Sequence, residues 1–297
     1  MHLFHDVLVS FTERRVIGMK KKFVFLVAVT PNIAFAAGNI AIALDKYMHD
    51  EEYDIIVYYT ELPDRDIKAL KNINRCIPIQ FRPNAKLVDY LLLNLPDACP
   101  YKAVNKLMLL AHYEIFRLLD QYETAVWLDA DILVQGNLRE LSNYVPFGIS
   151  QDTPWLIRDQ FISPKTICVE GYNIDKPAFC TAVMVANESL PYKKIYNWLI
   201  DKTYFYAADM KNVDQVTTNL MIEEFGLLPE TLPLEKWQCM PWKREAFTAA
   251  IVHFGTSDKI WKSPELCHKF SEWYRNHLIW LQLGGSDFRS RIDLMED

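Results

Sequence analysis

The sequence predicts an α/β fold built on a mainly parallel central sheet, with irregular additions toward the C-terminus. Three observations carry that expectation. Through the first half of the chain, short apolar runs rich in β-branched and aromatic residues alternate with helical patterns, which implies βαβ units. The 297 residues are 51% hydrophobic and 24% charged, the balance of an ordinary globular protein with a sizeable core. One apolar run ends in two carboxylates a single residue apart, Asp129 and Asp131, and the carboxyl ends of parallel strands are where such a sheet binds ligands.

The first candidate strand lies in "MKKKFVFLVAVTPNIAFAAG" (19–38), which also has the outline of a signal peptide: a basic stretch, a short apolar run and small residues at a cleavage site. Residues 1–18 precede it and include Glu13, Arg14 and Arg15, so they read as an extension or as an upstream start before Met19. "FVFLVAV" (23–29) is then a buried strand, and the alanine-rich "AFAAGNIAIALDKYM" suits a helix packed closely on a sheet. "YDIIVYYT" (53–60) is a second strand, residues 64–70 a helix opening after Pro63, and "CIPIQFRP" a third strand. "NKLMLLAHYEIFRLLDQY" (105–122) puts Leu109, Tyr113, Phe116 and Leu119 or Asp120 on helical spacing. "TAVWLDADILV" (124–134) follows as one strand interrupted by two acids. Beyond residue 150 come a strand at 178–187, an amphipathic helix in "YKKIYNWLIDKTYF" and a short strand at 249–255 that ends in a histidine. The tail from Pro264 to Leu283 spaces Phe270, Trp273, Tyr274 and Trp280 as a core-packing helix would.

Charge and cysteines narrow the function classes. A net charge of −6 argues against nucleic-acid binding, which calls for a basic footprint. No apolar run reaches the ~20 residues of a membrane-crossing helix. The six cysteines (Cys76, Cys99, Cys168, Cys180, Cys239, Cys267) form no C-x-x-C pair and read as free thiols of a reducing, cytoplasmic compartment. In that compartment the glycosylation pattern Asn187-Glu188-Ser189 has no meaning.

On a regular strand, alternation would point Asp129 and Asp131 the same way, so that they can share one cation. Oxygen ligands suit Mg²⁺ or Mn²⁺, and such an ion can hold a diphosphate and stabilise its departure. An exposed D-x-D at a turn is also common, so the pair alone does not decide. His253 at a strand end is a reasonable third ligand, and Gly255, Ser257 and Lys259 after it offer a loop and an ammonium to a diphosphate.

"YETAVWLDADILVQGNLREL" resembles the D-x-D segment of glycosyltransferase family 8. Other motifs fall in that family's order: "VAVTPN", "GISQD", "FCTAVMVAN", "VDQVTTN" and "HFGTSDKIW". The similarity runs from about residue 23 to 262. It implies a GT-A type, Rossmann-like nucleotide-binding fold over residues 19–262, with an extension over 1–18. A helical tail over 263–297 would pack on that domain or touch the acceptor. It further implies a retaining, Mn²⁺- or Mg²⁺-dependent transferase that moves a hexose from a UDP-sugar, of glucose or galactose type, to a glycan or lipid-linked saccharide. By this resemblance Ala28, Thr30, Asn32, His112, Asp129, Ala130, Gly255 and Lys259 contact the UDP-sugar, and Asp129, Asp131 and His253 hold the metal. Asp152 and Asp214 bind the donor sugar, and Gln215 stands on its reacting face. A carboxamide is a poor nucleophile, which favours a front-face reaction over a covalent intermediate.

The chain departs from the family pattern in places. Phe179-Cys180-Thr181-Ala182 stands where F-N-x-G is common, Val216 replaces a second acid, and Gly255 comes one position early, with Thr256 in its usual place. His112 lies at about the expected distance for the basic residue before the D-x-D, and Lys106 two turns earlier. The replacements at Cys180 and Ala182 suit an alternative, a non-catalytic binder of sugar nucleotides. A nucleotidyltransferase is another alternative, but it favours a glycine-rich loop that "TPNIAFAAG" lacks. The tail, with Trp273, Tyr274 and Trp280, is compatible with a peripheral contact at the inner face of a membrane. Cleavage after Ala36 or Ala37 would remove the strand and loop assigned to the uracil, so the opening segment reads as a strand and not as a signal.

Overall fold

The computed structural model describes residues 20–83, 88–89, 104–255 and 259–288, with the backbone alone for 104–107, 152 and 153. Residues 1–18, the predicted extension, lie outside the described residues, as do Cys99, Thr256 and Ser257.

The described residues open with β1 (Lys21–Val29) and α1 (Ala34–Tyr47), then β2 (Tyr53–Tyr59), α2 (Asp64–Lys71) and β3 (Cys76–Gln80). β1 pairs in parallel with β2 on one side and with β4 (Tyr122–Leu128) on the other. A strand flanked on both edges and covered on both faces must be apolar throughout. Accordingly Phe23, Phe25 and Val27 enter one core layer while Val24 and Leu26 enter the other. After β4 come β5 (Ile132–Val134), β6 (Phe147–Leu156) and β7 (Pro177–Asn187). The sheet has seven strands in the order β3-β2-β1-β4-β7-β6-β8, with β8 at Glu230–Thr231. β7 joins antiparallel to both β4 and β6, and the other pairings are parallel, so the mainly parallel sheet is borne out.

Two expected elements differ. Residues 105–122 do not form one α-helix: a 3₁₀ helix (Val104–Tyr113) leads into α3 (Glu114–Arg117) and a second 3₁₀ turn (Leu118–Asp120). Nearly every side chain from Leu110 to Leu119 is buried, so the segment is enclosed on all sides and has no single apolar stripe to select the α-helical period. Nor is 124–134 one strand. β4 stops at Leu128, and β5 leaves the main sheet to pair antiparallel with β9 (Ile251–His253), with Ile132 opposite His253. The two acids therefore occupy the turn between two sheets.

On one face of the sheet lie the 3₁₀ segment, α3, α4 (Tyr192–Tyr206) and α5 (Val213–Glu224). The short α6 (Leu234–Trp237) precedes β9. α7 (Pro264–Lys269) and α8 (Ser271–Gln282) close the other face over α1. Phe270, Trp273 and Trp280 are buried there, while Tyr274 stays exposed. Gly38 on α1 is forced by that packing: a Cβ at this position would lie 2.3 Å from the Trp280 ring. Beyond α8 the chain straps back onto α2, where the buried Asp66 carboxylate accepts the Ser286 N–H at 2.6 Å and the Ser286 hydroxyl at 2.8 Å. Among the described residues no helix is long and apolar enough to cross a membrane. The cysteines among them are free thiols.

Candidate functional site

β4 delivers Asp129 to the carboxyl end of the sheet, and local bonds then set its direction. Its N–H donates to Ala182 O on β7 at 2.9 Å, and its Oδ1 accepts the Trp127 indole N–H at 2.8 Å. Two residues on, the Asp131 carbonyl accepts the Phe254 N–H at 2.9 Å, which fixes the turn against the end of β9. This crossing brings His253 to the acids: its Nε2 lies 3.4 Å from Asp131 Oδ1. Asp129, Asp131 and His253 each offer a ligand atom, and those atoms lie within 4.8 Å of one another. The acids converge because the chain turns between sheets, not because of alternation along one strand.

The donor set suits a divalent cation. Two carboxylates supply hard oxygen ligands and a buried imidazole supplies nitrogen, so the three residues could hold a metal ion together. The carboxylates keep 30% (Asp129) and 17% (Asp131) of their side-chain surface, enough for a ligand to reach them. Lys259 brings its ammonium 2.5 Å from Asp131 Oδ2 and also donates to Phe254 O at 2.9 Å. Burial works against the Asp131 charge, but His253 and Lys259 outweigh it and hold the carboxyl below its ordinary value. His253 moves the other way: burial disfavours its cation, yet Asp131 and Asp129 raise its pKa. Gly255 is required beside it, since a Cβ there would come 2.5 Å from His253 Cε1.

A second group adjoins the first through His112. This buried ring accepts the Trp127 indole against its face, with centroids 3.8 Å apart, and its Nδ1 lies 2.8 Å from Leu109 O. Its Nε2 stands between two acids, 3.3 Å from Asp129 Oδ1 and 3.6 Å from Asp214 Oδ2. Burial disfavours the His112 cation, but Asp214 and Asp129 more than compensate and raise its pKa. Asp214, in the first turn of α5, also accepts the Thr181 hydroxyl at 2.9 Å. Gln215 follows it, half-buried, and Asn219 one turn later binds both the N–H and the C=O of Phe179, clamping α5 to β7.

The remaining expected residues cluster at the end of β1. The register that sets Leu26 beside Trp127 carries Ala28 and the Thr30 loop to the level of Asp129. There the Thr30 hydroxyl donates to Asn32 Oδ1 at 2.6 Å, ahead of the 3₁₀ turn Pro31–Ile33 that feeds α1. Ala130 sits in the D-x-D turn itself. Asp152 belongs to β6 by its backbone, and its side chain lies outside the described residues, as does that of Lys106. Two residues carry no sequence signal for a site. Trp127 and Thr181 read as strand core, so their hydrogen bonds become visible only when the elements are assembled, whereas Asn219 closes the "VDQVTTN" motif.

Comparison with solved structures gives a consistent fold. The galactosyltransferase LgtC, solved in complex with donor and acceptor sugar analogs, aligns with a TM-score of 0.60 and 15% identity over 90% of this chain and 99% of LgtC. The bifunctional glycosyltransferase WbbM in its apo form aligns with a TM-score of 0.61 and 15% identity over 89% of this chain, which spans 50% of WbbM. At such identities the likeness shows the fold, which is of GT-A type. No curated protein matches the sequence. The description of glycosyl transferase family 8 matches residues 16–265, most of the chain. The chain therefore belongs to glycosyltransferase family 8 and is a glycosyltransferase.

Proposed function

We propose that the protein is a retaining hexosyltransferase that uses a UDP-sugar of glucose or galactose type, with a hydroxyl of a glycan or lipid-linked saccharide as acceptor. The observation that carries this reading is the convergence of Asp129, Asp131 and His253 at the carboxyl end of β4, with Lys259 alongside. These three residues would hold Mn²⁺ or Mg²⁺, which as a Lewis acid offsets the charge of a departing diphosphate. Lys259 adds an ammonium for the same phosphates, and Gly255 lets their loop pass over His253. Ala28, Thr30 and Asn32 would take the uridine, beside Ala130. His112 supports the donor site from beneath, while Asp214 and Asp152 serve the hydroxyls of the hexose. Gln215 faces the reacting carbon as a neutral dipole. The acceptor hydroxyl then forms its bond to that carbon on the face from which UDP leaves, and its proton passes to the departing phosphate oxygen. The free cysteines suit a cytoplasmic location, and the exposed Tyr274 suits a peripheral contact with a membrane face.

A thermal-shift panel tests the reading. UDP and UDP-hexoses should stabilise the protein only with Mn²⁺ present, and Asp129→Ala should abolish that shift. Slow release of UDP from the donor should likewise need Mn²⁺ and vanish in Asp131→Ala. Stabilisation by purine nucleotides alone, or by UDP equally with and without metal, would overturn it.

A further inference from the structure

We infer that Thr181 and His112 are positioning residues that tie the sugar end of the donor site to its metal end, and that Thr181 sets hexose affinity through Asp214. The inference rests on the proposed UDP-sugar reading and adds residues to it. Asp214 is buried, and a buried carboxylate without partners has no fixed direction and a high desolvation cost. Here the Thr181 hydroxyl, also buried, donates to Asp214 Oδ2 at 2.9 Å, and His112 Nε2 stands 3.6 Å from the same oxygen. The pair cannot drift apart easily, because Asn219 binds the Phe179 N–H at 2.8 Å and the Phe179 C=O at 3.0 Å, two residues before Thr181. β7 and α5 are therefore joined at two points, Thr181–Asp214 and Phe179–Asn219.

His112 carries the connection onward. Its ring is held from three sides: by Leu109 O at 2.8 Å, by the Trp127 indole at 3.8 Å, and by the facing acids. Its Nε2 makes no well-directed hydrogen bond to either acid, and at 3.3 and 3.6 Å it is shared between Asp129 and Asp214 as an ion pair would be. Trp127 in turn donates to Asp129 Oδ1 at 2.8 Å, so the ring that backs His112 also directs the metal-side acid. One continuous set of contacts thus runs from Thr181 through Asp214, His112 and Trp127 to Asp129. The imidazole itself is buried and its Nε2 faces the two carboxylates. It acts through the two carboxylates.

Isothermal titration of the full chain with UDP, UDP-glucose and UDP-galactose in Mn²⁺ tests this. In Thr181→Val, UDP should bind within about twofold of wild type. The UDP-hexose that wild type prefers should weaken by several-fold, up to about tenfold, because Asp214 then loses its fixed direction toward the sugar, and each tenfold corresponds to about 1.4 kcal/mol. Thr181→Ser should restore it, and Thr181→Val should add no further loss in an Asp214→Asn background. His112→Asn should weaken UDP and UDP-hexose together, because it touches both acids. An unchanged hexose affinity in Thr181→Val, or an equal loss for UDP and UDP-hexose with a lowered melting temperature, would overturn the inference and leave the UDP reading standing. A wild-type protein that binds no UDP with Mn²⁺ would overturn the reading on which it rests.

Discussion

The strap that returns to α2 can be tested by removing its anchor. In Asp66→Ala the buried Ser286 N–H and hydroxyl lose their acceptor, at 2.6 and 2.8 Å respectively. Hydrogen bonds to a charged group contribute about 1.5–3 kcal/mol each, so the gross loss is roughly 3–6 kcal/mol. Part of it is offset because a carboxylate need no longer be buried. Asp66 also lies in the first turn of α2, where an acid adds about 0.3–1 kcal/mol through the helix dipole. A net destabilisation of about 3 kcal/mol follows, which for a domain of this size lowers the melting temperature by roughly 6–12 °C. Calorimetry and urea unfolding measure it directly. Ser286→Ala removes the hydroxyl bond alone and should cost about 1.5 kcal/mol, the low end of that range. A shift below 2 °C in Asp66→Ala, or a Ser286→Ala variant as unstable as Asp66→Ala, would refute the claim that the strap is held through this carboxylate.

Two further outcomes follow from the packing. Asn219→Ala loses three hydrogen bonds, to Phe179 N, Phe179 O and Gln215 O, and should cost about 2–3 kcal/mol; hydrogen exchange at the Phe179 amide should speed up with it, and an unchanged exchange rate would count against the clamp. Burial, with Asp45 nearby, pushes the Tyr53 phenol up to about 12. Since that value is raised, the stability it contributes is whole below the ordinary phenol value near 10 and is lost as pH climbs toward 12. Tyr53→Phe should therefore flatten the alkaline limb of the stability curve, and an unmoved alkaline midpoint would contradict it.

The first two sheet strands were legible because their physics is local. A strand buried on both faces must be apolar along its length, and "FVFLVAV" has no other economical reading. The second half was harder, since β6 and β7 shift register twice and β8 has only two residues, so pairing there depends on partners far along the chain. Residues 105–122 differ from the expected α-helix because Leu109, Tyr113 and Phe116 satisfy an α-helical period in the sequence, while the folded segment is buried on all sides and takes 3₁₀ turns on either side of α3. At the site, residue types could be read but not directions. Asp129, Asp131 and His253 were found from their chemistry, whereas the turn that unites them required knowing that β5 pairs with β9. Thr181 and Trp127 could not be found at all, because a hydroxyl or an indole in an apolar strand declares nothing until an acid stands opposite.

The cover over α1 has a consequence for the order in which the protein is made. Phe35, three residues after Asn32, is enclosed by the rings of Trp261, Trp273 and Phe288, and Gly38 is capped by Trp280. Translation delivers α1 well before those rings. At ordinary elongation rates the roughly 250 residues between Gly38 and Phe288 take on the order of 10–50 s to appear, during which the helix that carries the Thr30 loop has a bare apolar side. Nascent chains should therefore be bound by chaperones at that side, and firm nucleotide binding should arrive only after the segment carrying Trp261 to Phe288 has been made.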